Sequence, residues 1–279
     1  MSRCEVVCDI GSNWRAPGEA LPKAWERTLR TLDLIKEAGA NTAKFQYLRR
    51  TVYPAGSAEA ALVAKYEWPE EWLPKLSTAC RQRDLTFLCT VFEPQHVPLL
   101  NHYVDRWKIS SFEARRRDLL DACRATEKPL IVSTGTLTQR ETWDLDIALL
   151  PRDTLLYCVS KYPASPGDYD LRVLEEWGGE PDDDCCAFGL SDHTPPNTST
   201  AAVLAVAFGA SLIETHVTFS SFQGSPDAHF ARGPIELGGY VRAIREALAL
   251  LGDGHKHPVD GELTHYRWSA ATGKRGVAP

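Results

Sequence analysis

Residues 4–47 read CEVVCDIGSNWRAPGEALPKAWERTLRTLDLIKEAGANTAKFQY. A short apolar run (4–10) gives way to an amphipathic stretch (22–38), and that to a second short apolar run (42–47). Leu29, Leu32, Ile35 and Lys36 with Ala38 fall at the spacing of one helix face. Ala38-Gly39-Ala40 then supplies the glycine that commonly stops such a helix. Strand, helix, strand is the repeating unit of a parallel sheet, whose crossovers need a dozen residues or more.

Working outward, the unit recurs along the chain. Strands are expected at 4–10, 42–47, 85–91, 104–110, 129–133, 154–159, 186–190 and 211–217, all near-continuous in apolar residues as buried parallel strands are. Helices are expected at 22–38, 69–83, 95–102, 116–126, 138–149, 171–177, 198–208 and 234–251. Eight alternating pairs predict a (β/α)8 TIM barrel, which at roughly 250 residues would nearly fill this chain. The main rival, an open doubly wound sheet, usually carries a glycine-rich loop after its first strand. Asp9-Ile10-Gly11-Ser12-Asn13 has a single glycine there. The expected division is a barrel over 1–252 and a C-terminal tail over 253–279 that forms no separate domain. Two long connections, 48–67 and 218–233, follow strands and are candidate substrate loops.

The 279 residues carry 31 Lys+Arg against 37 Asp+Glu, a net charge of -6. That balance argues against a non-specific nucleic-acid binder, so any anion must be held by a local cluster of donors. No apolar run approaches the ~18 residues of a membrane span, and the first ten residues lack the pattern of a signal peptide. Eight cysteines without a CxxC pair read as buried free thiols, which fits a reducing, cytoplasmic setting; Cys4, Cys8, Cys89 and Cys158 lie in strand-like runs, and Cys185 and Cys186 are adjacent.

A barrel places its chemistry at the C-terminal ends of its strands. Those ends offer Asp9; Lys44 and Gln46; Thr90; Lys108, Ser111 and Glu113; Ser133 and Thr134; Ser160 and Tyr162; Ser191, Asp192 and His193; Glu214 and His216. Two lysines among several hydroxyls suit a phosphate or a phospho-carboxylate. Thr134-Gly135 would add backbone donors at a helix start. Any one of the serines reads first as a helix cap; the set in register with the barrel does not. Lys44, inside a closed barrel, must pair with a carboxylate or bind an anion, and the anion is the favoured expectation. A Schiff base is the alternative use of a buried lysine. His193 and His216 end neighbouring strands about 4.8 Å apart, close enough to share a metal ion, with Glu214 or Asp192 to ligate or orient. A single histidine there would read as structural.

The ordered motifs Asp9-Ile10-Gly11-Ser12-Asn13, Lys44-Phe45-Gln46, Lys108-Ile109-Ser110-Ser111, Ser133-Thr134-Gly135, Cys158-Val159-Ser160-Lys161-Tyr162-Pro163, Gly189-Leu190-Ser191-Asp192-His193-Thr194, Glu214-Thr215-His216-Val217-Thr218 and Pro226-Asp227-Ala228-His229 resemble the sialic acid synthase family. That family comprises N-acetylneuraminate synthases and their legionaminate and pseudaminate relatives. The resemblance runs from about residue 4 to 252. It implies a TIM barrel that condenses phosphoenolpyruvate with an aldehyde sugar and releases phosphate. Lys44, Thr90, Lys108, Ser111, Ser133, Ser160 and Ser191 would hold phosphoenolpyruvate. His193 and His216 would bind a divalent metal, typically manganese (Mn2+). Asp9, Gln46, Tyr162 and Asp227 would face the acceptor, with Glu113 and Glu214 as catalytic or supporting groups.

Three departures accompany the resemblance. The usual Glu of the first motif is Asp9, and the usual His after Asn13 is Trp14. The 48–67 stretch, long as a barrel connection, is short beside the family's and lacks a clear match to its acceptor-binding asparagine. Bacterial members usually continue into a small antifreeze-protein-like domain that gives an arginine to a swapped partner's acceptor site; Arg267, Lys274 and Arg275 do not match it by motif. A homodimer follows from family habit alone. The donor half thus reads as intact and the acceptor half as altered, so the expected acceptor is an aldehyde other than N-acetylmannosamine. A Schiff-base aldolase and a non-catalytic phosphate-binding scaffold are the rival functions.

Overall fold

Eight parallel strands close on themselves in sequence order in the computed structural model, which describes residues 4–146, 148–177, 186–220, 224–257, 267–269 and 274–276. They are β1 Glu5–Asp9, β2 Thr42–Gln46, β3 Thr86–Thr90, β4 Trp107–Ile109, β5 Leu130–Ser133, β6 Thr154–Cys158, β7 Ala187–Asp192 and β8 Leu212–His216. The helices are α1 Leu21–Glu37, α2 Ala58–Val63, α3 Leu73–Arg81, α4 Val97–Leu100, α5 Arg117–Arg124, α6 Gln139–Asp146, α7 Val173–Trp177, α8 Thr200–Ala207 and α9 Pro234–Leu251. Each predicted strand is present. The helices are mostly trimmed at their ends, and α2 was not expected. It sits inside the 48–67 connection, capped by Ser57, whose side chain accepts the Ala60 N–H at 3.1 Å.

On α1 the buried residues are Ala24, Thr28, Thr31, Leu32 and Ile35. Lys36, read as part of the apolar stripe, instead faces outward and pairs with Asp84 at 3.3 Å. In the tail, Arg267–Ser269 and Lys274–Gly276 pair antiparallel. Cys185 lies outside the described residues, whereas Cys4, Cys8, Cys80, Cys89, Cys123 and Cys158 are buried free thiols. Among the described residues, no helix is long and apolar enough to cross a membrane.

The core has two parts. A large one fills the space between strands and helices, and a small one of Val7, Leu88, Ile131, Leu156 and Leu212 fills the barrel's interior. Alternation along a strand then fixes what stands one rung above that inner plug. Two residues on from each plug residue come Asp9, Thr90, Ser133, Cys158 and Glu214, all buried. The inner plug therefore closes the barrel from below, and the polar layer above it is built by strand parity.

Candidate active site

Register sets the neighbours within that polar layer. Asp9 lies level with Lys44 and His216, Thr90 with Gln46 and Lys108, and Ser191 with Cys158 and Glu214. These groups open into a cavity of about 380 Å³ at the strand C-terminal ends. Of the predicted residues, Asp9, Lys44, Gln46, Thr90, Lys108, Ser111, Ser133, Tyr162, Ser191, His193, Glu214, His216 and Asp227 line it. Ser160 stands at its edge, its hydroxyl paired with that of Ser111 at 2.7 Å. Glu113 stands behind the wall, bound to the hydroxyl of Ser110.

The floor is an ion cluster. Lys44 Nζ donates to Asp9 Oδ2 at 2.7 Å and to Thr90 at 3.2 Å. Lys108 Nζ donates to Ser133 at 2.7 Å. Glu214 Oε1 lies 3.6 Å from one ammonium and 3.7 Å from the other, and accepts from Ser191 at 3.1 Å. Lys44 thus has the carboxylate partner that ranked second in the sequence reading. Burial alone would push Asp9 up, but the charges of Lys44 and His216 outweigh it and hold the carboxyl at about 2. Glu214 is likewise held below its ordinary value against burial, by both lysines. Burial, opposed by Asp9 and Glu214, leaves Lys44 raised, whereas burial with the Lys44 charge lowers Lys108.

Two glycines make room. Gly135 has φ +29°, and a Cβ there would lie 2.2 Å from Ser160 Oγ and 2.3 Å from Ser111 Cβ. Gly135 therefore admits the paired hydroxyls. It does not begin a helix as expected: α6 starts at Gln139, and the Thr134 N–H already donates to the Leu156 carbonyl at 2.9 Å. A Cβ at Gly11 would stand 2.2 Å from Asp227 Oδ2, which accepts the Ser12 N–H at 2.7 Å.

His193 and His216 come together, with ring centroids 5.4 Å apart. The Nδ1 of His193 lies 2.7 Å from the Val159 carbonyl, which can only accept, so Nδ1 carries hydrogen. The Nε2 lone pair remains, 3.4 Å from Ser191 Oγ. His216 Nε2 lies 3.6 Å from Asp9, and its Nδ1 is buried without a hydrogen-bond partner. Two imidazole donors, one fixed in tautomer and one with an orphaned buried nitrogen, fit a divalent ion whose remaining ligands are oxygens. Among the described residues, no group of three His, Cys, Asp or Glu side chains closes round one point.

Asp9 joins the two expected carboxylates near the histidines, 3.6 Å from His216, while Glu214 reaches His193 through the Ser191 hydroxyl. Glu214 turns toward the lysines. Asp192 is one residue out of phase with Ser191 and faces the outer layer. There it accepts from Tyr240 at 2.7 Å and from buried Arg232 at 3.0 Å, and its other oxygen accepts the Thr194 N–H at 2.8 Å. The cluster steadies His193 indirectly, through Tyr169, whose hydroxyl accepts the His193 N–H at 3.0 Å. Trp14 also leaves the site. It is buried in the outer core edge-on to Trp72, and its indole N–H donates to the Tyr66 carbonyl at 3.0 Å.

Several lining residues were not singled out from sequence: Cys158, Leu48, Tyr53, Phe92, Phe112 and Phe230. Cys158 was predictable, because it is two residues beyond Leu156 on the same strand. The apolar ones follow the strands on loops, where no periodicity marks direction.

A barrel with lysines, carboxylates and imidazoles gathered at the C-terminal mouth is a catalytic architecture. Residues 31–256 match the NeuB family, and the chain belongs to that family. It is 31% identical over 252 residues to the N,N'-diacetyllegionaminic acid synthase of Legionella pneumophila, spanning 82% of this chain and 69% of that one. It is 31% identical over 244 residues to the pseudaminic acid synthase of Helicobacter pylori, spanning 80% and 70%. In fold it matches the N-acetylneuraminic acid synthetase of Leptospira borgpetersenii with a TM-score of 0.81 at 24% identity, over 94% of this chain and 89% of that one. The resemblance drawn from the ordered motifs and the closed barrel both hold.

Proposed function

We propose that this chain condenses phosphoenolpyruvate with an aldehyde, forming a carbon–carbon bond and releasing phosphate to give a 2-keto-3-deoxy acid of the nonulosonic type. The observation that carries this reading is the floor of the cavity: Lys44 and Lys108, both buried, share Glu214 on one side and reach Thr90 and Ser133 on the other. Its support from relatives is that family members of similar sequence are named as synthases of such acids.

The roles follow from charge. Lys44, Lys108 and the hydroxyls of Thr90, Ser111, Ser133, Ser160 and Ser191 would hold the phosphate and carboxylate, whose charge changes little during reaction, so they position more than they activate. The lysines are balanced by Asp9 and Glu214, so an incoming phospho-carboxylate needs further positive charge. His193 and His216 would hold a divalent ion, Mn2+ by family habit, and when bound it supplies the charge that stabilises a developing alkoxide. Carbon 3 of phosphoenolpyruvate attacks the aldehyde carbon, and the carbonyl electron pair moves to oxygen, which takes a proton. Tyr162, 4.3 Å from the His193 ring and partly exposed, keeps its proton because desolvation of its cavity-facing part raises the phenol above its ordinary range, so it can donate to that oxygen. Water adds at carbon 2, and the tetrahedral adduct expels phosphate as the carbon–oxygen bond breaks. Glu214, ionised and with Oε2 unpartnered, can accept the water's proton. Gln46 and Asp227 face the acceptor, and Glu113 supports the wall through Ser110.

The test is phosphate release from phosphoenolpyruvate with Mn2+ across a panel of aldehydes. His216→Ala is expected to abolish metal-dependent release; full retained rate would overturn the assignment. One observation favours a second reading: the lowered Lys108 ammonium, desolvated by burial, resembles an activated amine. Borohydride trapping with substrate decides between them, since the condensation predicts no adduct.

A further inference from the structure

His193 and His216 stand at the ends of neighbouring strands, and one residue joins those two ends. Arg232 lies beyond β8, where its backbone forms a parallel bridge with Val217. Its N–H donates to the His216 carbonyl at 2.9 Å, and its carbonyl accepts the Thr218 N–H at 2.9 Å. The main chain that carries His216 is thus held by Arg232. The Arg232 side chain crosses to the end of β7. There Nη2 lies 3.0 Å from Asp192 Oδ2, 3.3 Å from Thr194 Oγ1 and 2.9 Å from the Thr198 carbonyl.

Asp192 passes that hold to His193. Its Oδ1 accepts the Thr194 N–H at 2.8 Å and lies 3.5 Å from the Tyr169 hydroxyl, which accepts the His193 N–H at 3.0 Å. Both histidines are therefore fixed at the main chain from outside the barrel, while their side chains line the cavity. Filling space does not explain the arginine. Arg232 is 1% exposed, and its Nε is buried without a hydrogen-bond partner. A buried ion pair adds little net stability over well-packed apolar groups. What the guanidinium adds is direction: seated on the Tyr240 ring at 3.9 Å, its planar head reaches three acceptors at once.

We propose that Arg232 is a positioning residue that sets the spacing of His193 and His216, and through it the affinity of the site for a divalent ion. Ligands must be held close to a metal's preferred geometry, and groups behind them change metal affinity by about 10–100-fold. This rests on the proposed metal site and deepens it by naming what holds its two imidazoles in register.

The experiment titrates the full chain with Mn2+, following the free ion by electron paramagnetic resonance, and then with phosphoenolpyruvate at saturating Mn2+ by calorimetry. Arg232→Lys keeps the charge opposite Asp192 but loses the planar head. Arg232→Met combined with Asp192→Asn removes both charges together. Tyr169→Phe, at a half-buried position, deletes only the hydroxyl that links Asp192 to His193. The Arg232 variants are expected to weaken Mn2+ binding by about tenfold or more, and Tyr169→Phe by less. Phosphoenolpyruvate affinity should not change, because strand register and not Arg232 builds the lysine floor. Unchanged Mn2+ affinity in the folded variants overturns the positioning role. So does equal weakening of both ligands, which is what a general loosening of the barrel gives. Equal Mn2+ binding by the parent, His193→Ala and His216→Ala overturns the metal site itself, and this inference with it, while the lysine floor keeps its reading.

Discussion

The floor and the rim of this cavity are built by different means. On the floor, every side chain is placed by strand register, buried, and held by a partner: Lys44 by Asp9, Lys108 by Ser133, Glu214 by Ser191. On the rim, the groups sit on loops, touch mostly through apolar faces and include the exposed Phe112 and Tyr162. The contrast separates two jobs. A rigid charged layer suits a substrate that is the same in every turnover, and an apolar loop-borne layer can diverge without disturbing the barrel.

The sharpest way to break this contrast is to remove a floor charge. Lys44→Met leaves Asp9 and Glu214 short of a buried counter-charge, and about 3–5 kcal/mol of stability should be lost along with activity. Urea midpoints measure it. Adding Asp9→Asn to Lys44→Met should recover part of the loss, and no recovery would mean the pair is not coupled. Phe112→Ala on the rim should change stability by no more than about 0.5 kcal/mol.

A subtler break acts on the floor's geometry without touching charge. Gly135→Ala drives a methyl into Ser160 Oγ and Ser111 Cβ at a positive φ. Displacing two donors by about an ångström should lower kcat/KM for phosphoenolpyruvate by about 10²-fold, visible in steady-state kinetics. An unchanged kcat/KM would remove this hydroxyl pair from the donor site. Smaller still is Tyr240→Phe on the outer side of β7. It deletes one hydrogen bond to buried Asp192, which keeps Arg232, so about 1 kcal/mol is expected from denaturation.

The same contrast explains what was legible in the sequence. The barrel was readable because strand and helix periods differ and alternate without a break. The floor was readable because it lies at strand ends, yet only where parity was respected. Asp192 was grouped with Ser191 and His193 although it is one residue out of phase, and Cys158 was passed over although it is in phase with Leu156. Trp14, which stands where the family motif usually has His, belongs to the core through its size and its Trp72 neighbour. The rim was not readable, since a loop residue's direction depends on contacts with no periodic signature. Even α2, a single capped turn and a half, carries too short a pattern to stand out.

Glu113 sits between floor and rim and gives the smallest expected effect, with a definite sign. Burial is the largest influence on its carboxyl and raises it above the ordinary value; the Ser110 hydrogen bond and the Arg116 charge pull the other way and lose. A carboxyl raised in the folded state binds its proton more tightly there than in the unfolded chain. Its contribution to stability is therefore fully present below the unfolded value of about 4.3 and is lost as pH rises through the folded one. Glu113→Gln keeps a hydrogen-bonding side chain toward Ser110 and has no charge to bury. Its melting temperature should match the parent at acid pH and exceed it by about 2 °C near neutrality. Parallel thermal scans across that range check this. A variant less stable than the parent at neutral pH would mean that Glu113 is held as a paired carboxylate, and would move it from the wall's support into the charged layer below.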